Sequence, residues 1–509
     1  MENYASACYL LRFLVLLVCV LQLSHVHCEG EGAVTTLNGN TGANDQGQRY
    51  VDGFANLLGK EARTITSLKV LLLSFFNVQD KTGAPEEEIE DRQSRDSENQ
   101  DKFVEKEKFF ITSGAGFVHS QENQEVEVNF DAGVGEPFLL MPFEKDTPLP
   151  CLTGNHIDDC WRCDTDWQDH RQRLATCAIG FGSNAMGGKN GELYVVTTDQ
   201  DNKKFPAPGT LRYGVTRTEP LWIIFAYSMT IQLKGELLVS SYKTIDGRGA
   251  NVHLIGSSQI SIENVSNVII HGIHIHDIVK SGPHHILSGP SRYTLRSKAP
   301  GDAIHIEGSR NVWIDHCFLA KATDGLIDAT ENSTSITVSN CYFENHDKVM
   351  LFGAHADHEF DRDMQITVAF NRFGPGLTQR MPRCRYGNCH VANNYYTDGW
   401  GKYAIGGSCD PTILSQGNIF VAAKAKKEVT NRIIEESCNG YGDWKEWHWT
   451  SSGDIFENDA YFVPSGEQDV SSNAYQNARS FNVRSAPLVP AMTKDAGPLN
   501  CTPKTPCKQ

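Results

Sequence analysis

The sequence predicts an all-β fold: a coiled parallel solenoid, preceded by a partly helical, partly disordered extension and followed by an irregular tail. Three observations carry this. Short β-branched strands such as Tyr194-Val195-Val196-Thr197 and Trp222-Ile223-Ile224-Phe225 alternate with Gly and Asn turns almost to residue 422. The strands repeat: Val312-Trp313-Ile314 recurs as Ile336-Thr337-Val338, and Cys317 as Cys341, both 24 positions on. Asn371, Asn394 and Asn418 fall 23 and 24 apart, and Phe373, Tyr396 and Phe420 keep the same offsets. A period in the low twenties with Asn at a fixed turn fits coils stacked about 4.8 Å apart, so that like residues form ladders. A leucine-rich repeat needs regularly spaced leucines, and a propeller a period of about 40; neither pattern is present.

In chain order, Arg12 followed by the apolar run Phe13 to Leu21 reads as a signal peptide cleaved near Cys28, which implies secretion. No comparable apolar segment recurs, so no membrane anchor is expected. Residues 29–150 form an extension. Its start is Gly, Asn and Thr rich, Tyr50 to Val78 carries apolar residues at helical spacing, Glu86 to Lys108 is an acidic linker, and Phe109 to Phe143 suggests a small β element. The solenoid is expected over 151–445. After Lys424 the repeat is lost, and a tail over 446–509 is expected, with Trp444, Trp447 and Trp449 packed on the solenoid. Removing Cys8, Cys19 and Cys28 from the 15 cysteines leaves twelve, an even number that favours disulfides in an oxidising compartment, with Cys501 and Cys507 as tail partners. Asn264, Asn332 and Asn500 begin glycosylation sequons. The net charge of −16 argues against nucleic acid as a partner, because nothing neutralises phosphates over a whole domain. It leaves room for an anionic ligand at a local cationic cluster.

Residues 301–396 carry the candidate chemistry. Asp324 and Asp328 share a face at spacing four, and Asp302 precedes the strand of the previous coil, so stacking lets the three converge. Carboxylates that close repel unless a cation sits among them, and an oxygen-only set suits Ca²⁺. Solvated turn aspartates are the bland alternative. Asp315 and His316 lie within the strand pattern and read as structural ladder residues. Lys348, Arg380, Arg383 and Arg385 are expected on successive coils, where guanidinium groups suit a carboxylate ligand. Met381-Pro382 fixes the backbone between two of the arginines.

Cys160-Trp161-Arg162-Cys163, Trp313-Ile314-Asp315-His316, Asp324-x-x-x-Asp328 and above all Gln379-Arg380-Met381-Pro382-Arg383 resemble the plant-type pectate lyases of polysaccharide lyase family 1, over about residues 151 to 425. The resemblance implies a right-handed parallel β-helix that cleaves de-esterified polygalacturonate with Ca²⁺ by β-elimination in the cell wall, as a monomer. It implies Asp302, Asp324 and Asp328 as calcium ligands, Arg380 as the proton-abstracting base, and Lys348 and Arg385 as holders of the substrate carboxylate. A free guanidinium is ordinarily protonated up to about pH 12, so that role implies an alkaline optimum. The Ser281 to Pro300 loop, rich in His and basic residues, and the long acidic extension depart from the family's pattern. Three rival readings fit the sequence less well. A polygalacturonase needs an adjacent Asp-Asp pair, and the one here, Asp158-Asp159, lies outside the repeats. A pectin lyase would lack the calcium aspartates. A non-catalytic wall-binding protein would have no need of Arg380.

Overall fold

The structure, a computed structural model, describes residues 151–435, 438, 443–467 and 481–508. The expected signal peptide and the whole extension to residue 150, including its helix, linker and small β element, lie outside the described residues.

Among the described residues the chain winds through three parallel sheets of ten, nine and nine strands, the parallel β-helix expected from the repeats. One coil shows the path. It runs from Ile304–Glu307 in the sheet that will carry the site, to Arg310–Asp315 in the ten-stranded sheet, to Phe318–Ala322 in the third, and back to Gly325–Thr330. The ladder offsets read from the sequence are the pairing registers: Val312 pairs with Ile336, and Ile336 with Ile366. Along each strand alternate residues face inward, and Val312, Ile314, Ile336, Val338, Ile366 and Val368 fill the lumen with no exposure.

The corner after the ten-stranded sheet repeats on four successive coils. His316, Asn340, Phe370 and Asn393 all have left-handed backbone, with φ of 49°, 52°, 58° and 53°. Directly after each lies a ladder residue that points inward. The Asn371 amide Nδ2 donates to Asn394 Oδ1 at 3.0 Å, and Asn394 Nδ2 to Asn418 Oδ1 at 3.0 Å, so each buried amide is satisfied by its neighbour above. Phe373, Tyr396 and Phe420 stack at centroid distances of 4.4 and 4.5 Å.

The outward residues of the ten-stranded sheet are also covered. Trp222, Ile269, Trp313, Ala369 and Ala392 pack against the helix His156–Trp161, against Trp167, and against Phe481, Val489 and Met492 of the tail. Asn155 caps that helix by accepting from the backbone of Ile157 and Asp158.

Two expectations need correction, and one loop takes a form that the sequence reading left open. The repeat does not end after Lys424: Thr430–Arg432, Trp449–Ser452 and Ile455–Glu457 add one more strand to each sheet. Trp449 is a fully buried strand residue, with the Arg432 guanidinium 4.1 Å above its ring. A cluster of tryptophans hides the period, because the Asn and small-residue markers are missing there. The twelve remaining cysteines do not all pair. Disulfides join Cys151–Cys163, Cys160–Cys177, Cys384–Cys389, Cys409–Cys438 and Cys501–Cys507, while Cys317 and Cys341 stay as buried thiols in a ladder. Finally, the basic loop from Ser281 to Pro300 folds as an antiparallel hairpin, His284–Gly289 with Arg292–Arg296. Arg296 ties it to the site sheet through Glu236 at 2.7 Å and through Glu263.

Candidate active site

The site sheet presents charged residues outward between inward Ile and Ala. Ile304, Ile306, Ile327 and Ala329 line the lumen, while His305 and Asp328, in register with each other, point the other way. Asp302 lies just before its strand. Its Oδ1 accepts from the Gly325 amide at 2.7 Å, and its Oδ2 lies 3.1 Å from His305 Nδ1. Asp324 stands at the start of the next strand, where its Oδ1 accepts from Lys348 Nζ at 2.7 Å. Asp328 Oδ1 is buried with no hydrogen-bond partner. A side chain on residue 325 would collide with it, since a Cβ there would sit 2.2 Å from that oxygen. Gly325 is therefore what lets the Asp328 carboxyl turn into the cluster.

The electrostatics follow from this crowding. Burial pushes the Asp328 carboxyl well above its ordinary range. The charge of Asp302 pushes further in the same direction, Asp324 adds to it, and His305 and Arg380 oppose it. Burial alone would lower the His305 pKa. Hydrogen bonds to Asp302 and Glu307, with the charges of Asp302 and Asp328, outweigh burial and hold it at about 10.

The arginines come from the next coil. Lys348 pairs in register with Gln379, and Leu351 with Arg383. Arg380, Arg383 and Arg385 thus sit together on the coil after Lys348, and not on successive coils as expected, because the segment runs along the site sheet before turning. Arg380 has left-handed backbone at φ 65°, and its charge reaches both Asp328 and the buried Tyr403. Arg385 is 6% exposed, and its terminal nitrogens are engaged by Gly353, Ala354 and Glu435.

The cluster thus gathers Asp302, Asp324, Asp328, Lys348 and Arg380 on successive coils, while Arg385 lies farther along the same sheet, beyond Arg383 and buried against Gly353, Ala354 and Glu435. Four participants escaped the sequence reading: His305, Glu307, Tyr403 and Glu435. The ladder rule reaches one of them, since His305 stands one coil before Asp328 in the same register. Asp315 and His316, read as structural, are fully buried on the covered side of the same coils.

Acidic and guanidinium groups side by side on one outer sheet of a parallel β-helix mark a polysaccharide lyase. Residues 175–443 match the family described as pectate lyase. The chain is 53% identical over 355 residues to probable pectate lyase 16 of Arabidopsis thaliana, covering 69% of this chain and 88% of that one. It is 52% identical over 362 residues to a pectate lyase of Zinnia elegans, with 70% and 88% covered. It also resembles the crystal structure of jun a 1, the major allergen from cedar pollen, at 50% identity and a TM-score of 0.64, covering 67% of this chain and 99% of that one. The chain belongs to the pectate lyase family.

Proposed function

We propose that this pectate lyase cleaves α-1,4-linked, de-esterified polygalacturonate by Ca²⁺-dependent β-elimination at the cluster of Asp302, Asp324, Asp328, Lys348 and Arg380. The observation that carries this reading is the buried, unpartnered Oδ1 of Asp328, crowded by the charges of Asp302 and Asp324 and within reach of the Arg380 charge two coils on. A hard divalent cation is the partner such an oxygen set suits, and Asp302, Asp324 and Asp328 would hold it. When bound, Ca²⁺ supplies Lewis-acid chemistry, drawing charge from the uronate carboxylate so that the C5 proton becomes more acidic.

The chain's own residues do the rest. Arg380 lies within charge reach of the acids and takes the C5 proton. Lys348 places a positive charge beside Asp324 and steadies the charge that develops on the uronate carboxylate. Arg385 adds a guanidinium on the same coil as Arg380 for a carboxylate of the substrate chain. The glycosidic oxygen at C4 then leaves, and the new chain end is 4,5-unsaturated. Secretion to the cell wall, action as a monomer, and glycosylation at the exposed turns of Asn264, Asn332 and Asn500 belong to the same reading.

The test is ultraviolet absorbance of the unsaturated product from polygalacturonate, with calcium and with chelator, for wild type and Arg380→Lys. Product is expected only with calcium, and the substitution is expected to cut kcat by about 10²–10⁴-fold while leaving Tm unchanged. Saturated product, or full activity of the lysine variant, would defeat the reading.

A further inference from the structure

Arg385 enters the site already holding a carboxylate. Its Nη2 donates to both oxygens of Glu435, each at 2.9 Å, and its Nη1 donates to the carbonyls of Gly353 and Ala354 at 3.0 and 2.8 Å. Arg383 Nη2 reaches the same Glu435 Oε1. One carboxylate is thus clasped by two guanidinium groups whose side chains are 11% and 8% exposed, while its own is 24% exposed. Both terminal nitrogens of Arg385 are engaged, and a uronate carboxylate arriving from solvent meets Glu435 already held there.

Glu435 is not a neighbour of the arginines in sequence. It is delivered by a segment pinned close by. The Cys438 amide donates to the Glu435 carbonyl at 2.9 Å, and Cys438 is bonded to Cys409. That disulfide packs with Ala356 and Tyr386, against the loop whose Ala354 carbonyl receives Arg385. The segment thus presents a carboxylate, the functional group of the substrate, at the guanidinium pair that the substrate would use. Two crowded cations demand an anion: the Arg383 pKa is lowered by burial and then by the charge of Arg385.

We infer that Glu435 is a specificity-determining residue: its carboxylate is an internal competitor for the substrate carboxylate at Arg385 and Arg383, and a polygalacturonate chain takes this subsite by displacing it. This rests on the lyase reading above for the identity of the substrate. The competition sets a threshold. A uronate carboxylate carries the charge needed to replace Glu435, whereas a methyl-esterified unit does not, so the glutamate raises the selectivity of the subsite for free acid over ester.

The test compares wild type, Glu435→Gln and Glu435→Asp on polygalacturonate and on partly methyl-esterified pectin, alongside calorimetric binding of trigalacturonate. Removing the competing charge is expected to lower KM for polygalacturonate about three- to tenfold in Glu435→Gln, with kcat little changed. Aspartate, shorter by one methylene, is expected to fall between. Trigalacturonate Kd is expected to follow KM, and KM for the esterified substrate to move less. An unchanged or higher KM together with a fallen kcat would mean that Glu435 only positions Arg385, and would overturn the inference. So would failure of both variants to fold, because a group the substrate displaces is not indispensable to the fold. Absence of lyase activity in the wild type would instead defeat the function reading, and the trigalacturonate Kd would still decide this one.

Discussion

Two clusters of carboxylates and imidazoles lie on the same coils, on opposite sides of the lumen, and they are built to opposite specifications. On the covered side, Asp315 accepts from Ser339 Oγ at 2.6 Å and from Asn340 Nδ2 at 3.0 Å, and its Oδ2 lies 2.9 Å from His271 Nδ1 and 2.8 Å from His316 Nδ1. The far nitrogen of His316 faces Asp158 Oδ1 at 3.3 Å as an ion pair without a hydrogen bond, and Arg162 holds the other Asp158 oxygen at 3.0 Å. Trp161 closes edge-on over both histidines. Every charge there has an opposite charge beside it, and none is exposed. On the site side, three carboxylates crowd together and one oxygen, Asp328 Oδ1, is left without a donor. The chemistry of the residues is nearly the same. What separates structure from function is whether each buried charge meets an opposite charge within the chain, as on the covered side, or like charges are left crowded with capacity for a cation from outside.

The sharpest way to break this comparison is to open the closed network. In Asp315→Asn the buried His316 imidazolium loses its charged partner, and one of the two oxygens that accept from Ser339, Asn340 and the two histidines becomes a donor. Removing one member of a buried ionic network typically destabilises by about 3–5 kcal/mol. Chemical denaturation of wild type and variant should show a loss of that size, while kcat per folded molecule stays close to wild type. A variant as stable as the wild type but catalytically dead would mean that the covered cluster is the functional one.

The open network predicts the reverse pattern. Asp328→Asn keeps the shape of the side chain and removes a like charge from the cluster, so with chelator present the Tm should equal or exceed that of wild type. Calcium should stabilise the wild type, by about 2.7 kcal/mol at a hundredfold excess over Kd, and should leave the variant's Tm almost unmoved. A calcium-induced rise in Tm that survives the substitution would place the ion elsewhere.

The two clusters also differ in how far they could be read without coordinates. The covered one was legible in part: Asp315 and His316 fall on a strand whose alternation marks them as non-luminal, and the 24-residue offset from Cys317 to Cys341 locates the corner beside them. Their partner Asp158 was not legible, because it comes from a short helix that local sequence does not attach to any coil. In the open cluster, Asp302, Asp324 and Asp328 follow from stacking arithmetic. His305 follows from the same arithmetic, through its register with Asp328, but reading carboxylates alone passes over it. Glu435 lies 50 residues beyond Arg385, past an irregular stretch where the period carries no information about contacts. An arginine-rich segment announces a demand for anions. Which anion meets it depends on a disulfide, Cys409–Cys438, whose pairing no spacing rule specifies.

The gentlest probe of the comparison is pH. Burial alone would raise the Asp315 pKa, but His316 and His271 outweigh it and hold the carboxyl below its ordinary value. Its contribution to stability is therefore present above the ordinary carboxylate range and is lost as pH falls below it. Burial alone would lower the His316 pKa, but Asp315 and Asp158 outweigh it and hold it at about 10. That contribution is fully present below the unfolded value of about 6.5 and is lost as pH rises toward 10, at no more than about 1.4 kcal/mol per pH unit. The difference in stability between wild type and Asp315→Asn should therefore be greatest on the acid side of neutrality and shrink on both flanks. A difference independent of pH from 4 to 10 would show that the cluster acts through shape and neutral hydrogen bonds, and would remove charge pairing as the feature that distinguishes the closed side of the coil from the open one.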